Sequence, residues 1–278
     1  MVAIRTLHVN SLGQLIDTVA ESTDAHDGPT WFRGHMRAEW EILPSIWRIA
    51  DRTRERQVVH QFRARAQHRM THPIPFGSHP EWLSTMQHYG LPTRLLDWST
   101  SPLVATYFAL AYLLDNPDAP PFDAAIWLLK PAILNRIERN DPIIFSINSA
   151  SCIDDLVPVF YPNVPETHVI RAVMASVHDN RIFVQQGAFT IHSRRTPLEQ
   201  APHAGDVLTR IILPAAAVGQ IARQLKSAGY RRGDIFPDLA NLADELRHDL
   251  HHAAKLSPPA PPGTTSAVAP ARTRRTPR

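Results

Sequence analysis

Apolar positions recur at helical spacing in some stretches of the chain and run unbroken in others. Leu12, Leu15, Ile16 and Val19 line one face behind Ser11 and Gln14, whose spacing is that of a capping box, so a helix opens at Ser11. An Asp-Gly-Pro turn at residues 27–29 ends it, and residues 30–35 read as a short strand. Val58, Val59, Phe62 and Ala66 form the apolar face of a charged helix over residues 52–70. Pro80 near its start and Gly90 just past its end bracket a helix over residues 80–89. Pro102 opens a buried helix to Asp115, since a first helical turn has no use for the N–H that proline lacks. Apolar runs over 124–129, 187–192 and 207–213 predict strands, and 214–229 and 237–254 predict helices. Residues 141–167, punctuated by proline, read as an irregular insert. Strands and helices mix without regular alternation. The expected class is therefore α+β: a single mixed domain over residues 30–256, with a small β-sheet core flanked by helices, after an N-terminal helix within 1–29.

The remaining segment, 257–278, has six prolines, four arginines and no acid. It lacks the apolar surface to order itself and is expected to be a disordered basic tail. It also accounts for the charge. The chain has 29 basic and 26 acidic residues, a net of +3, and without the tail the balance falls to −1. A contact with nucleic acid or an acidic partner is one reading of the tail, and a solvated terminus is the other. The longest apolar stretch, 103–114, is interrupted by Thr106, so no membrane span is expected, and residues 1–10 do not read as a secretory signal. The one cysteine, Cys152, excludes an internal disulfide or a multi-cysteine zinc site. These features predict a soluble cytoplasmic protein.

Chemistry concentrates in three clusters. The first is Trp31-Phe32-Arg33-Gly34-His35, followed by Trp40, Leu43, Pro44, Ser45 and Arg48. Arg33 can project a planar fork into a cleft, and Gly34 lets a ligand or another backbone come close. The second runs from Met86 to Pro102 and reads as a polar loop between two helices. It holds Gln87, His88, Tyr89, Thr93, Arg94, Asp97, Trp98, Ser99, Thr100 and Ser101, groups that must satisfy one another or a ligand. Within it, Arg94 and Asp97 are expected to pair across the turn, Asp97, Ser99 or Ser101 to cap the next helix, and His88 to serve as acid, base or donor. The third cluster, from Arg181 to Ile191, places Gln185 and Gln186 before Gly187, where they can point an amide but not a base into a cleft.

These clusters, with Ile235-Phe236-Pro237-Asp238-Leu239, resemble the FRG domain family, named for an aromatic-Arg-Gly motif, over roughly residues 30–246. The resemblance implies a bacterial or phage-associated cytosolic protein. A second, shorter likeness is to ADP-ribosyltransferases of the Arg-Ser-Glu type. It implies NAD as substrate, Arg33 on its phosphate or ribose, Ser99 or Ser101 orienting the nicotinamide ribose, and Gln185 or Gln186 where the acid should stand. A neutral amide cannot offset a developing cation. Either Asp97 supplies the charge, or the site binds without turnover, or the likeness fails.

The expectation carried forward is a cleft for a nucleotide-like ligand. Arg33, Gly34, Tyr89, Arg94, Trp98 and Ser101 would bind, and His88, Ser99 and Gln186 would supply the polar catalytic contacts. Tyr89 or Trp98 would be a stacking wall, and a nucleic acid or protein the acceptor. Transfer of ADP-ribose by a toxin or anti-phage effector is the leading reading. A ribonuclease-like phosphodiesterase, with His88 as base and Arg33 and Arg94 on the phosphorane, is the alternative, as is a non-catalytic adaptor. His248, His251 and His252 fall at spacings of three and four, and His248 and His252 could share a face with Asp244 and hold zinc, but the helix is charge-laced and no metal is expected.

Overall fold

The computed structural model describes residues 2–116, 118–176 and 183–256. In chain order the elements are β1 (Arg5–His8), α1 (Leu12–Asp24), β2 (Trp31–His35), α2 (Ser45–Ile49), α3 (Arg52–Ala66), α4 (His79–His88), β3 (Leu95–Ser99) and α5 (Pro102–Asp115). There follow β4 (Ala124–Leu129), α6 (Pro131–Arg139), α7 (Ala150–Leu156), β5 (Ile170–Met174), β6 (Gly187–His192) and α8 (Ala204–Val207). The last are β7 (Leu208–Leu213), α9 (Ala215–Ser227), α10 (Arg232–Ile235) and α11 (Leu239–Leu256). The basic tail lies outside the described residues, as do Arg181 and Ile182 and the side chains of His248, His251 and His252. No helix among the described residues is long and apolar enough to cross a membrane.

Among the described residues seven strands form one mixed sheet in the order β1-β7-β4-β2-β3-β6-β5, parallel only at β1–β7. The fold is α+β, with more strands than the four sequence segments suggested. Two were unanticipated at the edges, β1 and β5. The third, β3, runs through the middle of the supposed polar loop: Leu95, Leu96, Trp98 and Ser99 are buried, but the polar Asp97 and Ser99 interrupt the apolar run and mask it. The proline-rich insert contains α7, whose Cys152 and Leu156 are buried.

Local signals behave as their chemistry requires. Ser11 Oγ accepts from the Gln14 amide at 3.2 Å, while Gln14 Oε1 reaches back to Asn10 N at 2.8 Å, one residue beyond a standard box. Gly90, at φ +74°, ends α4 in a left-handed turn, with Gly90 N on Gln87 O and Leu91 N on Met86 O. Helix α3 departs from its apolar pattern, burying Glu55 and Arg63 together with Val59 and Ala66.

Helices cover one sheet face in two groups. Helices α1, α5 and α9 pack over β7, β4 and β2 through Leu15, Val104, Leu110, Val218 and Ile221. Helices α3, α4 and α7 pack over β3, β6 and β5 through Val59, Trp82, Met86 and Leu156. Each such side chain contributes roughly 1.5–3 kcal/mol by leaving water. The opposite face buries Trp31, Leu96, Trp98 and Trp127 beneath α6, α8 and irregular chain. The seam between the two helix groups lies over β2 and β3.

Candidate functional site

At that seam the sheet is split. Strand β2 makes a five-residue register with β4, and β3 makes one with β6, but β2 and β3 pair only at Phe32 and Ser99. Beyond that point they part. A cavity of about 370 Å³ opens between α4 and α5, floored by the diverging strands. Its wall takes residues from all three clusters: Arg33 and Gly34, then Gln87, His88, Asp97 and Ser99, then Gln185 and Gly187. Trp40 and Phe108 add aromatic surface.

Arg33 bridges the split. Its Nη1 donates to the main-chain carbonyl of Asp97 at 2.5 Å, and its Nε donates to His35 Nε2 at 3.1 Å. That bond requires an unprotonated Nε2, so the His35 proton sits on Nδ1, 3.2 Å from the carbonyl of Trp40. His35 stays neutral: burial first, then the Arg33 charge, push it down to about 3. Among the described residues Arg33 forms no ion pair. Burial is the main cause that lowers it to about 10, opposed by the Asp97 charge and aided by Arg48. An arginine held by a neutral imidazole and a carbonyl keeps its positive charge uncompensated by contact, the condition under which an anion binds best. Gly34 has a packing reason as well. A Cβ there would stand 1.9 Å from Ala105 O and 2.6 Å from Ala109 N, so the backbone that comes close is that of α5.

Across the cavity Asp97 is the oriented carboxylate. Leu95 N donates to Thr93 Oγ1 at 3.1 Å, and Thr93 Oγ1 donates to Gln87 Oε1 at 2.5 Å. That sets the Gln87 amide, whose Nε2 donates to Asp97 Oδ2 at 2.7 Å. One carboxylate oxygen is thus held while the side chain remains exposed to the cleft.

Other candidates sit elsewhere or are already engaged. Arg94 does not pair with Asp97 and does not reach the cleft. Three residues apart on extended chain, the two side chains leave opposite faces. Arg94 is fully buried, with Nε and Nη2 on Glu55 at 3.0 and 2.8 Å and Nη1 and Nη2 on Glu166 at 2.8 and 3.0 Å. A fifth bond runs from Nη1 to Asp155 O at 3.2 Å. Burial works against that charge, but the two carboxylates outweigh it and raise the arginine above its ordinary value. Ser99 lines the cleft, but its hydroxyl donates to Gln185 O and accepts from Ser101 N. Ser101 caps α5 through Val104 N. Trp98 borders the cavity but is only 3% exposed, with Nε1 on Thr190 Oγ1, so it offers little ring surface for stacking. Tyr89 is 70% exposed and packs edge-on against His88, which does line the cavity. Gln186, in the left-handed region at φ +48°, accepts from Thr100 Oγ1 and ties two loops together. Gln185 is the glutamine in the wall, its amide on Ile235 O.

Residues 28–117 match the FRG domain. The FRG match runs from just before β2 through α5 and so supplies Arg33, His35, Gln87, His88 and Asp97 of the cleft. Gln185, Gly187 and the rest of the third cluster lie beyond it, although the resemblance had been expected to reach residue 246. No curated protein and no solved structure matches the chain. Sequence reasoning passed over the roles of His35, Gln87 and Thr93. Their signal was the two-residue spacing of Arg33 and His35 on one strand and the position of Gln87 in the last turn of α4. Among the described residues no group of three metal-ligating side chains gathers.

Proposed function

We propose that the FRG cleft binds a nucleotide-class ligand, with a phosphate on Arg33, sugar hydroxyls on Asp97 and a flat ring against Trp40 and Phe108. The observation that carries this reading is Arg33, half-buried with no carboxylate at hydrogen-bond distance, opposite an oriented carboxylate in the same cavity. The same pair suits ADP-ribosyl transfer from NAD. As the bond from the ribose C1′ to nicotinamide breaks, the electron pair leaves with nicotinamide. Asp97, rather than Gln185 or Gln186, offsets the positive charge on the sugar until an acceptor oxygen or nitrogen attacks C1′ and gives up its proton. In a bacterial cell such transfer would act as a toxin or an anti-phage effector. The phosphodiesterase reading has less support, because Arg94 is locked between Glu55 and Glu166 and leaves Arg33 without its second cation.

Calorimetry with NAD, ADP-ribose and AMP tests the binding step. Wild type gives heat, and Arg33→Lys, which keeps the charge but not the fork, loses at least about tenfold in affinity at an unchanged melting temperature. Asp97→Asn binds NAD but loses roughly 100- to 1000-fold in nicotinamide release. Absence of heat with all three ligands overturns the reading. Heat without nicotinamide release reduces it to a binding module.

A further inference from the structure

A second cavity, of about 260 Å³, also borders α5. Tyr107, Leu114 and Asp115 of α5 form one wall, the α9–α10 junction (Lys226, Tyr230, Arg231, Arg232) a second, and Asp244 and Glu245 of α11 a third. At its floor Tyr107 is 1% exposed, yet among the described residues its hydroxyl has no hydrogen-bond partner. Burial, with Asp115 and Glu245 nearby, raises that phenol to about 12 against the pull of Arg232, so it stays protonated and able to donate. The hydroxyl is not sealed from solvent but opens on the cavity, so a polar ligand that enters can accept its hydrogen bond.

Charge in this cavity is balanced, with both signs present in its walls. The α9–α10 side carries Lys226, Arg231 and Arg232, and the other two walls carry Asp115, Asp244 and Glu245. Some of these are committed: Arg232 to Asp115 at 2.8 Å, Asp244 to Arg247 at 2.7 Å, and Glu245 to the Gly233 amide. Arg231 is exposed at the mouth and forms no ion pair among the described residues. A simple anion would meet three carboxylates and a simple cation three basic groups. A molecule bearing both charges can align along the field. The volume is just below the usual range for drug-sized ligands, enough for one small molecule, and Tyr107, Leu114 and Tyr230 supply apolar lining.

We infer that this cavity is a binding site for a free α-amino acid with an apolar or aromatic side chain. Its carboxylate faces Arg231, its ammonium faces Asp244 and Glu245, and a polar atom meets the Tyr107 hydroxyl. The site is not isolated from the cleft. Phe236 packs against both Tyr107 and Phe108, at 6.3 and 6.0 Å, and the carbonyl of Ile235 receives the amide of Gln185.

Calorimetry on the full chain with L-phenylalanine, L-tyrosine and L-leucine, against 3-phenylpropionate and phenethylamine, decides it. At least one amino acid binds, and both singly charged analogues bind about tenfold or more weakly. Tyr107→Phe melts like wild type, since the hydroxyl it removes has no internal bond, and weakens binding roughly three- to tenfold. The inference is overturned if no amino acid gives heat, if the analogues bind equally well, or if Tyr107→Phe binds unchanged. Arg33→Lys retains amino-acid binding, so failure here is distinct from failure at the cleft.

Discussion

Arg33 donates to the carbonyl of Asp97 across the point where β2 and β3 stop pairing, at 2.5 Å. A side chain thus takes a ladder acceptor that the neighbouring strand no longer reaches. The bond satisfies the carbonyl and holds the split at a defined width. Its donor is a cation whose burial is not offset by any ion pair among the described residues, so the two effects on stability oppose each other. Arg33→Met should therefore shift unfolding free energy by less than about 1 kcal/mol while abolishing nucleotide binding. A loss above about 2 kcal/mol in urea titration would show that the arginine serves the fold.

Gly34 tolerates no side chain. With Ala105 O at 1.9 Å from a built Cβ, Gly34→Ala must displace α5 from the sheet. We expect a loss of about 3 kcal/mol or more, read as a lower urea midpoint at unchanged slope. Gly90→Ala, which meets open space but must adopt φ +74°, should cost only about 1 kcal/mol.

Arg94 belongs to stability. All five of its donor hydrogens are engaged, and its removal strands Glu55 in the interior and leaves Glu166 with Arg52 alone, at 3.7 Å. Arg94→Met should destabilise by about 3–5 kcal/mol. Whatever fraction remains folded should bind nucleotide with wild-type affinity, a result that the phosphodiesterase reading does not allow.

Two buried histidines make the fold acid-labile. Burial, then Arg33, pushes His35 down to about 3, and burial, then Arg194, does the same to His192. The unfolded chain takes up protons near pH 6.5 that the native state refuses. Their contribution is therefore complete above pH 6.5 and is lost as pH falls toward 3. The slope is about 1.4 kcal/mol per histidine per pH unit. Chemical denaturation from pH 7 to 4.5 should show it, and His192→Gln should lower the slope by about 1.4 kcal/mol per pH unit.

Thr93 acts at a distance through Gln87. Thr93→Val removes the hydroxyl that sets the amide, so Asp97 loses its fixed donor. Affinity for ADP-ribose should fall roughly three- to tenfold, while affinity for inorganic pyrophosphate, which needs Arg33 alone, should hold. Equal losses for both would remove Asp97 from ribose recognition.

Much of the fold is written in local pattern. The bounds of α5, β4 and β6 follow from Pro102, an unbroken apolar run and Gly187. These signals are local because capping, proline chemistry and burial on both faces act on neighbours in the chain. Strand β3 escapes such a reading because two of its five side chains serve the cleft rather than the core, and Arg94 because its two carboxylate partners lie 39 and 72 residues away. The three polar clusters are visible in the chain, but their meeting is not. Long-range strand order brings β2 beside β3, and packing of two separate helix groups leaves the seam open above them. Sequence alone thus determined which residues were available for chemistry. Only tertiary packing decided that Arg33 and Asp97 would share a cavity while Arg94 was sealed inside, because pairing and burial depend on contacts between segments that no local spacing encodes.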